Sequence, residues 1–526
     1  MKRIITILSL LFVAALADAQ IANELVDNAF GNNGQALGNP GNNYEVIYTA
    51  SVLQPDGRIV VVGTLDSSNR KVAFAMRFNS DGSTDNTFAN GGYTGSVTGF
   101  VTDSIVAVAL QADGKIVAAG FTNQGAFDPE NILVLRFDST GVLDHTFGTN
   151  GRLVLASGNL NMEAWAVAIE SDQKIVLAGN KENTVGGPDE FMVARLTTTG
   201  ALDASFGTGG YTTTNFFGYG DDAYAVAIQP DQKIVIAGTT ATGAQNLGYS
   251  NTLAIARYTT TGHLDNTFAT AGKTYQQIGL VHGYDQVCAV GLQSTGNIVV
   301  AGTGSESGRN DFATIRFSPT GVIDSTFGYN GIAITDFQQQ DNTCLGMAIN
   351  SNDYIALTGK SEGSGGNLTF QAALAYCTPD GNPDIQWGTQ GKALTPNTSN
   401  GSDIPYSALI QPDQKILIIG TAFYPGGNRV GLERYYITQP NAVRNITDNA
   451  FNIYPNPVQG QISIQLNNNA AVTNYAVYDA LGKVLLSGTI EGNKQNLDVA
   501  SLPAGVYLIR LNANSELATR TFIVER

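Results

Sequence analysis

The sequence predicts an all-β protein in two parts: seven four-stranded sheets packed radially, then a small C-terminal β-sandwich. Three observations predict it. Two short motifs alternate along residues 25–438; charged residues make up only 14% of the chain while glycines number 60; and runs of Val, Ile and Ala are separated by turn residues. Sparse charge disfavours long helices laced with ion pairs, and abundant glycine favours short strands joined by turns. A chain of 526 residues also exceeds one ordinary core, so a repeat array or several domains is expected.

The first motif is "LQPDGRIVVVG" (53–63), which returns as "LQADGKIVAAG" (110–120), "IESDQKIVLAG" (169–179), "IQPDQKIVIAG" (228–238), "LQSTGNIVVAG" (292–302), "INSNDYIALTG" (349–359) and "IQPDQKILIIG" (410–420). The second is "LDHTFGTNG" (143–151), whose aromatic recurs as Phe30, Phe88, Phe147, Phe206, Phe268, Phe327 and Trp387 at intervals of 58 to 62 residues. Each unit reads as four strands. In the second unit these are "SIVAVALQ", a tight "ADG" turn, "KIVAAG", a loop, "NILVLRF", the corner "DSTGVLDHTFGTNG" and "RLVLA". Asp-Gly supplies the positive-φ positions a hairpin needs. Strands apolar on both faces are buried on both, which a lone sheet cannot achieve and radially stacked sheets can. The expected fold is a seven-bladed β-propeller. The chain opens with a corner and fourth strand (25–37) and ends the array with a third strand (430–437), so the N-terminal strand is expected to complete the last sheet and close the ring.

The corner aspartate occurs in every copy: Asp27, Asp85, Asp144, Asp203, Asp265, Asp324 and Asp384. An arginine stands eight residues earlier in five of them, as Arg77, Arg136, Arg195, Arg257 and Arg316. Arg434 has no aspartate after it, and in a closed ring its partner is Asp27. The sixth unit has Tyr376 instead. Each arginine is expected to pin its corner, with the aromatic packed between sheets. Seven equivalent carboxylates in seven equivalent corners suit architecture, since catalysis requires one asymmetric constellation.

Across residues 21–438 the recurrent "PDGKIVVAG"-type, "ARF…TTG"-type and "LDxTFGxxG"-type segments resemble the delta-60 repeat family of β-propellers. That resemblance implies the fold and no activity.

The hairpin turns and corners are expected on one face and are nearly constant, while the remaining loops vary on the other. Loops held by a rigid scaffold are where recognition resides. The candidate ligand-binding residues there are Trp165, Phe216, Phe217, Tyr219, Asp221, Asp222, Tyr284, Asp285 and Tyr424, aromatics beside acids that suit stacking on sugars or peptide side chains. No HExxH, DxDxDG or GxSxG segment occurs, so no metal, cofactor or catalytic residue is assigned. "TFATAGKTY" (267–275) lacks the leading glycine of a phosphate loop, and "GYGDDA" (218–223) precedes no helix. The expected function is a non-catalytic binding or adhesion module for an extracellular glycan or protein. The alternative is an extracellular hydrolase acting on glycan or peptide. A formal charge of −16 opposes nucleic acid as a partner.

Residues 1–19 read as a signal peptide: Lys2 and Arg3, the apolar run "IITILSLLFVAALA", and the small-x-small site Ala17-Asp18-Ala19. No later apolar run is long enough to span a bilayer. Cys288, Cys344 and Cys377 read as buried apolar residues, with a disulfide from Cys344 to one of the others left open.

After residue 438 the repeat stops, and 439–448 reads as a linker. Residues 449–526 alternate apolar and polar positions between turns, giving about seven strands of an immunoglobulin-like β-sandwich. Tyr454-Pro455-Asn456-Pro457, "VYDALGKVL" with Gly482, and "LDVASLPAGVYLIRL" with Gly505 and Tyr507 resemble the C-terminal sorting domain of the bacterial type IX secretion system. The resemblance implies that secretion machinery as partner and an extracellular or cell-surface destination.

Overall fold

A computed structural model describes residues 25–40, 45–67, 70–96, 102–125, 128–242, 251–278, 285–306, 309–337, 340–362, 370–395, 403–423, 427–437, 451–466, 472–479, 483–513 and 516–526. The signal peptide, the linker, Tyr284, Tyr424 and Gly482 lie outside them. The chain divides into two compact units, Met1–Thr438 and Gln439–Arg526.

Among the described residues the first unit is built from antiparallel four-stranded meanders, each following the order of the repeat. Five form separate four-stranded sheets, and two are joined into an eight-stranded sheet by a single parallel pairing of Lys71 with Thr102. The fourth meander is representative: Asp221–Ile228, Ile234–Ala241, Asn251–Tyr258 and Lys273–Gln276 pair in turn. One sheet is assembled from both ends of the unit. Gln35–Gly38 pairs with Arg429–Tyr436, and Gln35 stands opposite Glu433.

Apolar residues on both faces of the middle strands explain the packing. Each hydrophobic cluster of this unit bridges two consecutive meanders, as Val60, Phe88, Ile116 and Leu135 do between the first and second. One cluster joins the last to the first, with Leu417 and Ile419 against Val46, Ile59 and Phe74. Every first strand carries a β-bulge, at Thr49, Val106, Trp165, Tyr224, Cys288, Leu345 and Tyr406. A bulge re-aims its side chain out of the regular alternation.

The second unit has two antiparallel sheets. One contains Phe451–Tyr454, Gln461–Leu466 and Lys494–Asp498; the other contains Val472–Tyr478, Val484–Glu491, Gly505–Ala513 and Glu516–Val524. They share one core, including Phe451, Ile464, Val477, Ile509 and Phe522. The Tyr-Pro-Asn-Pro segment, with both prolines cis, is tied to the final strand through Asn456. Its side chain donates to the Thr521 carbonyl at 3.1 Å and accepts from the Ile523 N–H at 2.9 Å. The Tyr507 hydroxyl donates to the Pro503 carbonyl.

Candidate functional site

The corners share one arrangement. Arg77, Arg136, Arg195, Arg257, Arg316 and Arg434 donate from Nε to Oδ2 of Asp85, Asp144, Asp203, Asp265, Asp324 and Asp27 at 2.7–2.9 Å. The other oxygen caps the turn that follows: Asp85 Oδ1 accepts from both the N–H and the hydroxyl of Thr87. Each arginine also reaches out of its own sheet. Nη1 donates to the Ser139, Thr198, Thr260, Pro319, Pro379 or Ser80 carbonyl, which in every case belongs to the next corner in order. Arg434 to Ser80 carries this series from the last sheet to the first.

The aromatic ring completes the joint. Each guanidinium lies 4.6–4.9 Å from the centre of its corner phenylalanine, within cation–π range. The ring also meets a glycine of the next corner. Gly141 has φ +89°, and a Cβ there would stand 2.7 Å from Phe88, so both backbone sign and contact exclude a larger residue.

Sequence reasoning missed one member of this joint, the basic residue that follows the hairpin turn in five of the seven copies, Arg58, Lys115, Lys174, Lys233 and Lys415. Arg58, Lys174, Lys233 and Lys415 lie 3.0–3.5 Å from the corner carboxylates of Asp85, Asp203, Asp265 and Asp27. Its signal was present in the recurrent Asp-x-Lys/Arg of the turn. Burial acts to raise the pKa of Asp27. Hydrogen bonds from Tyr436, Lys415 and the Ala29 N–H, with the charge of Arg434, outweigh it and bring the carboxyl down to about 2.

The sixth sheet uses a different joint for a physical reason. The corner that should follow it is split between the two ends of the array. Tyr376 stands in place of arginine with its ring 5.8 Å from Trp387, and the Trp387 indole N–H donates to the Tyr436 carbonyl at 2.9 Å. An indole donor thus replaces the guanidinium donor across the sheet boundary. Asp384 has no arginine and caps Gln386.

The ligand candidates separate into three groups. Asp221 and Asp285, expected to contact ligand, are buried, 0% and 1% exposed. They accept from the Phe216 and Ile278 N–H groups at 2.9 Å, backbone donors that precede the first strands of their sheets. Burial pushes Asp285 up to about 6 against that N–H. Asp103 holds the same register before its bulge and accepts from the Thr122 hydroxyl.

Trp165 and Asp222 belong to a second group, at the first strands of the third and fourth sheets. The Trp165 ring lies 5.5 Å from Phe121 and 5.9 Å from Tyr224. Its indole N–H is shared between Glu163 Oε2 at 3.0 Å and Asn180 Oδ1 at 2.7 Å. Burial, then the hydrogen bond and charge of Glu130 and the charge of Asp189, push Glu163 far above the usual carboxylate range. Burial and the charges of Asp189 and Asp221 push Asp222 up to about 6. Glu163 and Asp222 each stand two residues before the bulge of their strand, so the repeat brings them to one level of neighbouring sheets.

Phe217 and Tyr219 form the third group, with Tyr275, which sequence reasoning did not select. They are 39%, 48% and 54% exposed. Phe217 and Tyr275 meet edge to face at 4.9 Å. Phe216 lies beneath, packed on Phe191 and covered by the Lys273 ammonium, which donates to the Asn215 carbonyl. Tyr275 escaped notice because it follows a corner on a fourth strand, away in sequence from the loop it joins. Among the described residues no group of three or more His, Cys, Asp or Glu side chains is placed to hold a metal ion, and no helix is long and apolar enough to cross a membrane.

These features define an all-β repeat protein of successive four-stranded meanders followed by a separate β unit. Residues 54–88, 111–147, 170–206, 229–268 and 293–327 match the family described as "Domain of unknown function (DUF5122) beta-propeller", and 452–525 match the "Secretion system C-terminal sorting domain". The sorting domain makes the type IX machinery a partner and the cell surface or extracellular space the destination. No curated protein matches the chain in sequence. Among solved structures it is similar to PorZ, a surface component of the type-IX secretion system of Porphyromonas gingivalis, at 10% identity and a TM-score of 0.42 over 93% of this chain. The chain spans 60% of that protein's length. It is also similar to a protein of unknown function from Dyadobacter fermentans (9% identity, TM-score 0.42, 77% of this chain and 98% of that one) and to the polysaccharide lyase Uly1 (10%, 0.38, 74% and 90%).

Proposed function

We propose that this chain is a non-catalytic surface binding module, a closed seven-bladed propeller with an immunoglobulin-like sorting sandwich, and that it takes an uncharged glycan. The domains are 20–438 and 449–526, after a cleaved signal peptide and joined by the linker. Closure is supported by Gln35–Gly38 completing the last sheet and by Arg434 bonding Asp27 and the Ser80 carbonyl. The observation that carries the binding reading is the exposed pair of Phe217 and Tyr275 meeting edge to face, with exposed Tyr219 two residues further along the same segment. Exposed aromatic faces on a rigid support stack on the apolar faces of sugar rings. The surrounding negative charge of the chain disfavours an acidic polymer. Titrating the secreted protein with a panel of neutral and acidic oligosaccharides tests this. The double variant Phe217→Ala/Tyr275→Ala should lose at least tenfold in affinity at an unchanged Tm. Binding that survives both substitutions, or capture only of a protein ligand, overturns it.

The alternative is a glycan hydrolase centred on Glu163 and Asp222. The observation favouring it is that Glu163 and Asp222 stand two residues before the bulges at Trp165 and Tyr224 on neighbouring first strands, and both carboxyls are held above their ordinary pKa, so that either can serve as a general acid near neutral pH. Release of new reducing ends from the same panel would favour it over the binding reading.

A further inference from the structure

We propose that Cys288 and Cys344 form a disulfide that ties the fifth sheet to the sixth in the exported protein. The two thiols stand 3.6 Å apart, sulfur to sulfur, across the boundary between Gln286–Leu292 and Asn342–Ile349. Their juxtaposition follows from the repeat. Cys288 is the bulged residue of its strand, and Cys344 precedes the bulge of the next first strand. Thr49 and Ile105 hold the same two positions at the first boundary, and there the Thr49 hydroxyl reaches over to the Ile105 carbonyl at 2.6 Å. The bulge therefore aims a side chain at the neighbouring sheet, and at the boundary of the fifth and sixth sheets both ends of that reach are cysteine. Each sulfur has only weak partners otherwise, the Ala301 carbonyl at 3.5 Å and the Gly346 carbonyl at 3.9 Å.

The destination supplies the chemistry. A protein that leaves the cytosol meets oxidising conditions, where paired thiols are converted and persist as disulfides. The oxidant is a donor disulfide, either a protein dithiol oxidase of the export route or a small-molecule disulfide. The Cys288 thiolate, the less buried of the two, attacks the donor and expels one donor thiol, leaving a mixed disulfide. The Cys344 thiolate then attacks the Cys288 sulfur and expels the second donor thiol. Two protons leave the cysteines, two electrons pass to the donor, and one S–S bond joins the sheets. Cys344 is only 2% exposed, and its burial holds the thiol well above its ordinary pKa. Exchange at Cys344 is therefore fast before the sheets pack and slow afterwards. Cys377, also 2% exposed, stays a thiol.

The test uses the full chain recovered from the outside of the producing cell. Thiols are blocked under denaturing conditions, and the unreduced digest is mapped by mass spectrometry. One blocked cysteine, Cys377, and a Cys288–Cys344 linked peptide are expected. Reduction under denaturing conditions followed by refolding in reductant should then lower the Tm of the wild type and leave that of Cys288→Ser unchanged. Because Cys344→Ser places a hydroxyl in an apolar pocket, Cys344→Ala serves as the second variant and should likewise be insensitive to reductant. Three blocked cysteines in the recovered protein, or a link that includes Cys377, overturns the proposal. So does a wild-type Tm that is unchanged after the link has been reduced under denaturing conditions and the protein refolded in reductant.

Discussion

Replacing Asp27 with Asn tests how the two ends of the repeat array are held together. Asp27 is fully buried. It binds Arg434 at 2.8 Å, Lys415 at 3.0 Å and the Tyr436 hydroxyl at 2.7 Å. Its carboxyl lies at about 2 against an ordinary 3.8, and each unit of difference corresponds to about 1.4 kcal/mol. The ionised form therefore contributes about 2–3 kcal/mol at neutral pH. A depressed folded pKa gives stability that is present above the unfolded value and lost as pH falls through the folded one, here between about pH 4 and pH 2. Asn keeps the shape but not the charge, and it leaves Arg434 and Lys415 as neighbouring cations in a buried site. Breaking one side of such a group costs about 3–5 kcal/mol. Denaturant midpoints at pH 7 should show a loss in that range for Asp27→Asn. The exposed control Asp56→Asn should change stability by less than about 0.5 kcal/mol. The deficit should shrink as pH falls from 4 towards 2. A variant as stable as the control at pH 7, or a deficit constant with pH, refutes the reasoning.

Two other substitutions probe residues whose roles the repeat alone did not define. Trp387→Phe restores the aromatic of the other corners but removes the indole bond to the Tyr436 carbonyl; about 1 kcal/mol of stability should be lost, and an unchanged denaturant midpoint would contradict the substituted joint. Asp285→Ala leaves the Ile278 N–H without its acceptor, so stability should fall by about 1–3 kcal/mol with ligand affinity unaltered. Lost affinity at full stability would return Asp285 to the ligand site.

The corners were legible in the sequence because an arginine and an aspartate eight residues apart recur in phase with an aromatic, and local spacing alone puts them together. The candidate site was legible only in part. Phe217 and Tyr219 were found from a variable loop rich in aromatics, whereas Tyr275 joins them from a different repeat. Asp221 and Asp285 looked like ligand contacts because they neighbour aromatics in sequence. Their recurrence with Asp103 at one register before the bulge was the signal that they belong to the scaffold, where each holds a loop N–H or a hydroxyl.

By itself, then, the order of residues determined the repeat unit, its strands and turns, the corner pairs and the sorting domain, because each depends on neighbours within a few dozen positions. Only the tertiary structure decided which side chains meet across sheet boundaries. Trp387 with Tyr436, Cys288 with Cys344 and Phe217 with Tyr275 are brought together by stacking and by bulges that turn side chains sideways. The physical reason is that packing between sheets is set by register and twist summed over whole strands, quantities that no short window of sequence contains.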